Sequence, residues 1–392
     1  MTATVRPLPI TAWSAVNALG TSTQEVLRGL DEGRSGLGPS PIPVGVETVV
    51  GAVPGLLPDL PPSERGWATR LARLGVLAFE EVRPAVERAL ARYGPDRVAV
   101  VLGTSTGGLE ETEAAYRVWL DHGRLPATYH HHRQHNFAAL AELLARRVGL
   151  RGPVYVVSTA CSSSGKVAAS AQRLIAAGLV DAALIGGVDS LTRMTLHGFH
   201  GLGILSERPC RPFAADRDGI NIGEGAAFLL LERDGDAPAY LLGVGESADA
   251  YRMSSPEPSG RGAREAMARA LAQAGLGPDD VDHINAHGTA TRLNDAAEAR
   301  AIRDLFADRV PVTSTKAATG HLLGAAGATE AVFALHALLA GRVPATMNCA
   351  PLDPQLAIDV VASPRTQEVR TVLSNSFAFG GSNVSVLLGG PR

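Results

Sequence analysis

Short runs of β-branched and aliphatic residues recur along the chain, and glycine or proline bounds them. Residues 98–103 are VAVVLG, residues 154–159 are VYVVST and residues 310–315 are VPVTST. Runs of this length and composition are typical of buried strands. Longer segments with apolar residues at helical spacing alternate with these runs. The alternation predicts an α/β fold in which helices pack against a sheet.

The same order of elements occurs twice along the chain. Residues 71–103 predict a helix followed by a strand, and residues 262–288 repeat that order. A strand, a Ser-Thr turn and a helix of small residues follow at 154–178 and again at 310–341. Because both the order of the elements and the Ser-Thr turns recur, we expect a duplicated unit.

Each half is also predicted to close with a pair of strands. The pairs are residues 182–188 with 226–232, and residues 371–376 with 383–388. The division is expected near Asp234 to Pro238, which gives an N-terminal half of residues 1–235 and a C-terminal half of residues 236–392. Corresponding turns of the two halves should then face each other across a pseudo-twofold axis.

Composition and charge exclude several classes of protein. The 36 basic and 39 acidic residues give a net charge of −3, so there is no overall basic field to hold nucleic acid or an anionic membrane. Three cysteines are too few, and odd in number, for a disulfide framework, which favours a reducing cytoplasm. No signal peptide is evident, and no stretch is expected to reach the roughly 18 apolar residues that span a bilayer. We therefore expect a cytoplasmic protein with no nucleic-acid or membrane partner.

Cys161 lies between a predicted strand and a run of small residues with helical character. The first turn of a helix offers unpaired N–H groups and the positive end of the helix dipole, which are expected to lower the thiol pKa from about 8.5. Position alone does not identify a nucleophile, because a buried cysteine is more often a small apolar side chain.

Two histidines support a catalytic interpretation of Cys161. His287 ends a predicted strand, and His321 opens the helix that corresponds to the one after Cys161. Either histidine alone would more often be structural. Since the duplication should bring these turns together, we expect both histidines to converge on the cysteine, as in covalent catalysis.

The motifs around these residues resemble, in order, those of the β-ketoacyl synthases. They are TACSSS, PFAADRDGINIGEGA, NAHGTATRLNDAAE, KAATGHLLGAAGATE and NSFAFGGSN, and they extend over nearly the whole chain. The resemblance implies a thiolase-like duplicated α/β fold of five layers, αβαβα, usually assembled as a homodimer. It also implies an acyltransferase of the Cys-His-His type. Such an enzyme condenses an acyl chain, held as a thioester on Cys161, with malonyl-acyl-carrier protein and releases carbon dioxide.

The resemblance assigns roles to the residues around the thiol. His287 and His321 would donate N–H bonds to the enolate that decarboxylation leaves. Lys316 would orient the histidines. Glu330 would be a carboxylate behind Lys316 or, alternatively, an exposed residue of a helix.

Further roles concern the acyl carbonyl and the acyl chain. The backbone N–H groups of Cys161 and Phe379 would form an oxyanion hole, and Phe379 would also gate the pocket. Thr106, His131 and Phe199 are predicted to line the acyl pocket. Thr106 and His131 are polar where synthases of saturated fatty acids are apolar, which resembles the aryl polyene branch of the family. We therefore expect a conjugated or aryl-ended acyl chain.

Two other interpretations stay open: a housekeeping type II fatty-acid elongation synthase, and one subunit of a heterodimer between a ketosynthase and a chain length factor. No cofactor or metal is expected, because the phosphopantetheine arm arrives on the acyl carrier protein. The histidine cluster at 130–135 lacks partners at metal-ligand spacing. We expect the acidic carrier protein to bind a local basic patch, with Arg65, Arg70 and Arg208 as candidates.

Overall fold

A computed structural model describes residues 5–391 of the chain, and within that range it contains fifteen strands and eleven α-helices. The strands are β1 (Leu8–Val16), β2 (Leu37–Pro39), β3 (Val49–Gly51), β4 (Val98–Gly103), β5 (Val154–Val157), β6 (Ala182–Asp189), β7 (Gly225–Glu232), β8 (Ala239–Ala248), β9 (His283–Asn285), β10 (Pro311–Thr313), β11 (Arg342–Val343), β12 (Asp359–Val360), β13 (Arg365–Thr366), β14 (Thr371–Ala378) and β15 (Ser382–Gly389). The helices are α1 (Thr23–Asp31), α2 (Arg70–Tyr93), α3 (Leu109–His122), α4 (His131–Gln134), α5 (Ala139–Val148), α6 (Ser163–Ala176), α7 (Arg193–Gly201), α8 (Arg261–Ala274), α9 (Arg292–Phe306), α10 (Lys316–Thr319) and α11 (Ala326–Ala340).

The apolar runs in the sequence form the interior strands. Every residue of β4, β6 and β7 is buried, which explains why these segments are apolar throughout and do not alternate with polar residues. The two strand pairs that were predicted to close the halves are present. They are β6 with β7 and β14 with β15, and both pairs are antiparallel.

The order of strands in the main sheet repeats about its centre. Eleven strands lie in the order β12-β10-β9-β14-β15-β8-β1-β7-β6-β4-β5. Outward from the central pair, the first series is β1, β7, β6, β4, β5 and the second is β8, β15, β14, β9, β10. The two series meet where β1 pairs with β8 over three residues, from Leu8 with Leu241 to Ile10 with Ala239. The predicted division at residue 235 falls in the connection between β7 and β8.

We call the first series of strands the first half-sheet and the second series the second half-sheet. Helices cover the outer faces of both half-sheets and also lie between them. α2 and α5 pack on the outer face of the first half-sheet, and α8 and α9 pack on the outer face of the second. α6 and α11 contact strands of both half-sheets and form the middle layer. The layers therefore follow the order αβαβα that the resemblance implied.

The middle layer contains the most apolar helical segment of the chain. Residues Leu323–Ala340 are long and apolar enough to cross a membrane, which corrects the expectation that no stretch reaches that length. The segment is 83% buried inside the protein, however. A helix that is apolar on all sides is buried in the core of a large protein, and here the two half-sheets cover it.

α6 and α11 approach each other closely at two glycines. A Cβ on Gly327 would lie 2.7 Å from the backbone nitrogen of Gly165, and a Cβ on Gly165 would lie 2.6 Å from Val384 Cγ1. The backbone N–H of Ala328 also donates to Ser164 Oγ at 2.9 Å. The contact between the two helices therefore requires glycine at position 327, whereas glycine at position 165 makes room for Val384 of β15.

We expect Gly327→Ala to destabilise the protein by about 1–3 kcal/mol, because the added methyl group overpacks the contact between the two helices. The matched control is Gly198→Ala in α7, where an added Cβ meets nothing within 4 Å. That change should be neutral or stabilise by up to about 1 kcal/mol, because alanine is the better helix former. Thermal unfolding midpoints measure both effects, and equal shifts in the two variants would contradict the close contact.

Candidate active site

Cys161 lies at the turn from β5 into α6. Ala160 has a φ of 51°, a left-handed conformation that is uncommon for a residue with a Cβ. Ser163 fixes this turn: its hydroxyl donates to the Ala160 carbonyl at 2.5 Å and accepts from the Thr159 N–H at 2.9 Å. The turn directs the thiol into a cavity of about 290 Å³.

The structure brings both predicted histidines to this thiol. His287 follows β9, His321 lies shortly before α11, and both line the same cavity as Cys161. The Cys161 Sγ and one ring nitrogen from each histidine all lie within 4.8 Å of one another. The two imidazole rings are nearly perpendicular, at 83°, with their centroids 5.2 Å apart.

Glu298 of α9 holds the backbone at His287, and the sequence did not single this residue out. Its two carboxylate oxygens accept the N–H groups of His287 and Gly288, both at 2.8 Å. Burial raises the pKa of Glu298 to about 7, and these two backbone donors act in the opposite direction. Glu298 is the last residue of the motif NAHGTATRLNDAAE, which also contains His287. Its place in that motif was the signal that could have identified it from the sequence.

His321 is held through its backbone by the segment INIGEG. Its N–H donates to the Asn221 carbonyl at 2.7 Å, and its carbonyl accepts the Gly223 N–H at 2.9 Å. The Asn221 side chain in turn accepts the Cys210 N–H and donates to the Ser206 carbonyl. Both imidazole positions are therefore set by main-chain contacts, which leaves the rings free for other partners.

Lys316 and Glu330 form a buried ion pair close to the histidines. The distance from Lys316 Nζ to Glu330 Oε1 is 2.5 Å, and the side chains are only 2% and 4% exposed. Glu330 is therefore not the exposed helix residue that the sequence allowed as an alternative. Burial raises the pKa of Glu330, whereas the charge of Lys316 lowers it. Each charge compensates the other, because either one alone would be costly in this interior.

The environment of the histidines favours their neutral forms. Burial lowers the pKa of His287 and of His321 well below the ordinary value of about 6.5, and the positive charge of Lys316 adds to the effect. Within residues 5–391, the Nδ1 of His287 and both ring nitrogens of His321 are buried without a hydrogen-bond partner. Such nitrogens can bond to a bound substrate, because a polar group buried without a partner is costly.

The prediction that Cys161 has a lowered pKa is wrong. Burial raises the pKa of the thiol to about 12; the charge of Lys316 lowers it and the charge of Asp189 raises it. The thiol is only 7% exposed, so desolvation of a thiolate outweighs the favourable position at the start of α6. The cysteine is therefore a protonated thiol between reactions.

Phe379 lines the cavity that contains Cys161. The backbone N–H groups of Cys161 and Phe379 both act to lower the pKa of the Cys161 thiol, so both lie near the sulfur, where an oxyanion on an acylated thiol would need donors. The Phe379 ring packs against Phe199, with the centroids 5.8 Å apart. Gly380 follows with a φ of 81° and donates its N–H to the Met253 carbonyl at 2.6 Å.

Of the three residues predicted to line the acyl pocket, Phe199 lines the cavity, whereas Thr106 and His131 are not among its lining residues. The Thr106 hydroxyl is buried and donates to Asp189 at 2.7 Å. His131 is exposed on α4, with its ring centroid 5.0 Å from that of His135. The Thr106 hydroxyl, which was expected to make the acyl pocket polar, is therefore already satisfied by Asp189.

Asp189 joins the two halves of the site, although no sequence pattern selected it. It ends β6, is completely buried, and accepts the Thr104 hydroxyl at 2.6 Å. It also accepts the N–H groups of Ser105 and Thr106 and, from the other half of the chain, the N–H of Gly324 at 2.6 Å. Its carboxylate therefore ties the loop after His321 to the first half-sheet.

The three arginines proposed for carrier-protein binding differ in their surroundings. Arg65 is exposed. Arg208 is 65% exposed and pairs with Asp218 at 3.2 Å. Arg70, by contrast, pairs with the fully buried Glu224 through two nitrogens. The Arg70 side chain is only 27% exposed and its charge is compensated by Glu224, so it is a poorer candidate for a surface patch than the other two arginines.

Comparison with known proteins identifies relatives along the full chain. Residues 6–237 match the family "Beta-ketoacyl synthase, N-terminal domain", and residues 238–350 match "Beta-ketoacyl synthase, C-terminal domain". Nodulation protein E of Rhizobium meliloti (strain 1021) is 36% identical over 395 residues, covering 96% of this chain and 98% of that protein. The 3-oxoacyl-[acyl-carrier-protein] synthase 2 of Synechocystis sp. is 33% identical over 401 residues, covering 96% of each.

A solved structure extends this similarity to the fold. It is a chain of the complex between the ketosynthase ApeO and its chain length factor ApeC from Xenorhabdus doucetiae. The two chains superpose with a TM-score of 0.93, are 40% identical, and are each covered to 98%.

We expect the rate of Cys161 alkylation by iodoacetamide to rise about tenfold per pH unit from pH 6.5 to pH 10 without a plateau. The reagent attacks the thiolate, and a thiol with a raised pKa is still mostly protonated at pH 10. The alkylation rate of glutathione, a free thiol, should instead level off above the ordinary thiol pKa of about 8.5 in the same experiment. Peptide mass spectrometry separates Cys161 from Cys210 and Cys349, and a plateau for Cys161 below pH 9 would contradict the effect of burial.

Proposed function

The chain belongs to the β-ketoacyl synthase family, whose members are condensing acyltransferases, and we propose that Cys161, His287 and His321 carry out its decarboxylative condensation. The observation that carries this proposal is the convergence of one thiol and two neutral imidazoles, from different halves of the chain, at one cavity in which all three are buried. The proposed substrates are an acyl chain and a malonyl group, each delivered as a thioester.

In the first step, the Cys161 sulfur attacks the acyl thioester carbon. Since the thiol is protonated between reactions, its proton must leave as the new C–S bond forms. His321 is suited to accept that proton and return it to the departing pantetheine sulfur, because neither of its ring nitrogens has a protein partner. The N–H groups of Cys161 and Phe379 stabilise the oxyanion of the tetrahedral intermediate.

In the second step, the malonyl thioester loses carbon dioxide and becomes an enolate. His287 and His321 each donate one N–H bond to the enolate oxygen, and a neutral imidazole can do this without holding a permanent charge in the site. The enolate carbon attacks the thioester on Cys161. When the resulting intermediate collapses, the C–S bond to Cys161 breaks and the β-ketoacyl product leaves. The sulfur then takes up one proton from solvent, which replaces the proton that left with the pantetheine thiol.

The cavity also offers a route for the pantetheine arm. Thr289 and Thr291 line it between the histidines and the surface, and their hydroxyl oxygens are 2.9 Å apart. These hydroxyls suit the amide groups of a pantetheine arm, and the sequence alone did not select them. No other cofactor is part of the proposal. The acyl carrier protein would bind outside this opening, with Arg65 and Arg208 as the remaining candidates for its basic patch.

A second thiolase-like subunit is a further proposed partner. β5 ends the main sheet, and all four of its residues, Val154–Val157, are only half-buried. An edge strand with free N–H and C=O groups is a template for pairing with another chain. Tyr116 and Trp119 of α3 form an exposed stacked pair. The similarity to a ketosynthase solved with its chain length factor supports a heterodimer, and a homodimer through the same strand is the alternative.

We further propose that the acyl chain is conjugated, as in aryl polyene or related polyketide-type biosynthesis. The support is the aromatic lining: Phe199, Phe377 and Phe379 all face the cavity. Flat conjugated chains stack on such rings, with about 0.5–1.5 kcal/mol gained per aromatic pair beyond buried area. Housekeeping fatty-acid elongation, which uses saturated chains, remains the alternative function.

We expect Cys161→Gln to lose condensation and yet still release carbon dioxide from malonyl-carrier protein, because the histidines are unchanged. This decarboxylation should be independent of pH between 6.5 and 8, since both histidines stay neutral when their pKa values lie well below 6.5. Carbon dioxide release and product formation, measured separately, test both statements.

The matched controls add His287→Ala or His321→Ala to the Cys161→Gln variant. Each should reduce decarboxylation by about 10²-fold or more, because one donor to the enolate is lost. Ketoacyl product from Cys161→Gln would remove Cys161 as the nucleophile. A loss of decarboxylation with a midpoint near pH 6.5 would show that the histidines are not held neutral.

We expect the enzyme, assayed together with its partner subunit, to condense a conjugated aryl-ended acyl group at least about tenfold faster than a saturated one of equal length. Phe199→Leu should reduce this preference by about 2- to 10-fold, which corresponds to one aromatic pair. Competition between the two acyl-carrier proteins, read by mass spectrometry of the products, gives the ratio. A parent enzyme that prefers the saturated chain would instead support housekeeping elongation.

A further inference from the structure

The charged side chains that line the cavity are not equivalent. They are one arginine, Arg292, and two aspartates, Asp218 and Asp249. Asp218 accepts the Ser206 hydroxyl at 2.8 Å and pairs with Arg208. Asp249 accepts from the Asn383 side chain at 2.7 Å and from the backbone N–H of Glu257 at 3.0 Å. Both acids are therefore already occupied by protein donors.

Arg292 is not occupied in this way. In the described part of the chain, the one hydrogen bond from its guanidinium runs from Nε to the Arg217 carbonyl at 3.5 Å, and it pairs with no carboxylate. It is exposed, as is its neighbour Leu293 at 61%. Since Cys161 and His287 are buried whereas Arg292 is exposed, the cavity runs from the reacting groups to a surface opening at which this guanidinium pairs with no carboxylate.

The position of Arg292 in its helix adds to this charge. It is the first residue of α9, a helix of fifteen residues with Thr291 as its N-cap. The free N–H groups and the positive end of the helix dipole therefore lie at the same opening as the guanidinium. The Thr289 and Thr291 hydroxyls lie between this opening and His287 along the chain. Exposure falls in the same order, from the exposed Arg292 to Thr289 at 6% and His287 at 2%, so the wall changes from a cation at the mouth, through neutral hydroxyls, to the imidazole.

This order of groups matches one kind of ligand: an arm with an anion at its outer end, neutral amides along its length and a sulfur at its inner end. We propose that Arg292 binds the phosphodiester of the phosphopantetheine arm and so selects carrier-bound or phosphorylated thioesters over neutral ones. The proposal rests on the proposed function, which supplies the thioester substrate. A guanidinium suits this task because its planar donors can make two parallel hydrogen bonds to a phosphate.

The length of chain between His287 and Arg292 is consistent with separate roles for the two residues, one at the thioester and one at the phosphate. Arg292 is five positions after His287, so their Cα atoms are at most about 18 Å apart when the chain is fully extended. The malonyl carboxylate cannot be the anion that Arg292 recognises, because it must lie beside the histidines to be lost as carbon dioxide. An acidic residue of the carrier protein could meet Arg292, and a substrate without any protein distinguishes that contact from one to the phosphate.

The experiment compares malonyl-phosphopantetheine with malonyl-pantetheine, which lacks the phosphate, as substrates for decarboxylation. For the parent enzyme we expect kcat/KM to favour the phosphorylated compound by about tenfold, through KM and not kcat, which is about the contribution of one charge-assisted contact. Arg292→Gln should abolish the preference and leave malonyl-pantetheine turnover unchanged. Arg292→Lys should retain part of it, because a lysine keeps the charge but not the planar fork.

The matched control is Arg303→Gln, an exposed arginine of the same helix about three turns farther on, which should keep the full preference. Raising the ionic strength should reduce the preference in the parent enzyme and in the control, but not in Arg292→Gln. A preference that survives in Arg292→Gln, or its absence from the parent, overturns the assignment. Equal loss of activity on both substrates in Arg292→Gln also overturns it, because Arg292 would then be structural.

Calorimetric binding of phosphopantetheine and pantetheine themselves separates this assignment from the proposed function. An enzyme that decarboxylates neither thioester, and yet binds phosphopantetheine more tightly through Arg292, would refute the proposed chemistry and retain the site. An enzyme that decarboxylates both thioesters and binds phosphopantetheine and pantetheine equally would support the proposed chemistry and refute the site at Arg292.

Discussion

The close contact between α6 and α11 sets the distance between the two halves of the catalytic site. Cys161 lies at the start of α6, and His321 lies shortly before α11, so the separation of these helices fixes the separation of the thiol and the imidazole. Gly327 allows the two helix backbones to meet, because a Cβ at this position would lie 2.7 Å from the Gly165 nitrogen. The hydrogen bond from Ala328 to Ser164 fixes their relative positions along the helix axes. A duplicated fold thus obtains one site from two equivalent turns.

Carboxylates and carbonyls in the interior then position the catalytic residues mainly through the main chain. Glu298 holds the peptide groups at His287, Asp189 holds the loop after His321, and Asn221 holds His321 itself. Each carboxylate is buried and is compensated by several N–H or O–H donors, which makes its burial tolerable. Because the supports contact peptide groups, the imidazole nitrogens are left for the reacting molecule.

Much of this arrangement could be predicted from the sequence, and the remainder has definable physical reasons. The strand pairs, the five layers and the convergence of Cys161 with His287 and His321 followed from the repeat and from the motif order. Glu298 was missed although it lies only eleven residues after His287 in the same motif, because the turn that brings its carboxylate back to the His287 peptide group is not visible in the spacing. Asp189 was missed because its hydrogen bonds depend on approaches between distant segments, which no local pattern records. The position of Thr106 was misjudged for the same reason, since its partner Asp189 is 83 residues away. The pKa of Cys161 was misjudged because a helix start is visible in sequence, whereas the depth of burial is not.

The burial of Cys161 has a consequence for the durability of the protein. Peroxides oxidise thiolates much faster than thiols, and susceptibility also follows exposure to solvent. A cysteine that is 7% exposed and protonated at neutral pH is protected on both counts. Burial keeps the thiol protonated, so the thiol needs a proton acceptor when it attacks the substrate. The same burial protects it from oxidation to sulfenic acid when no substrate is bound.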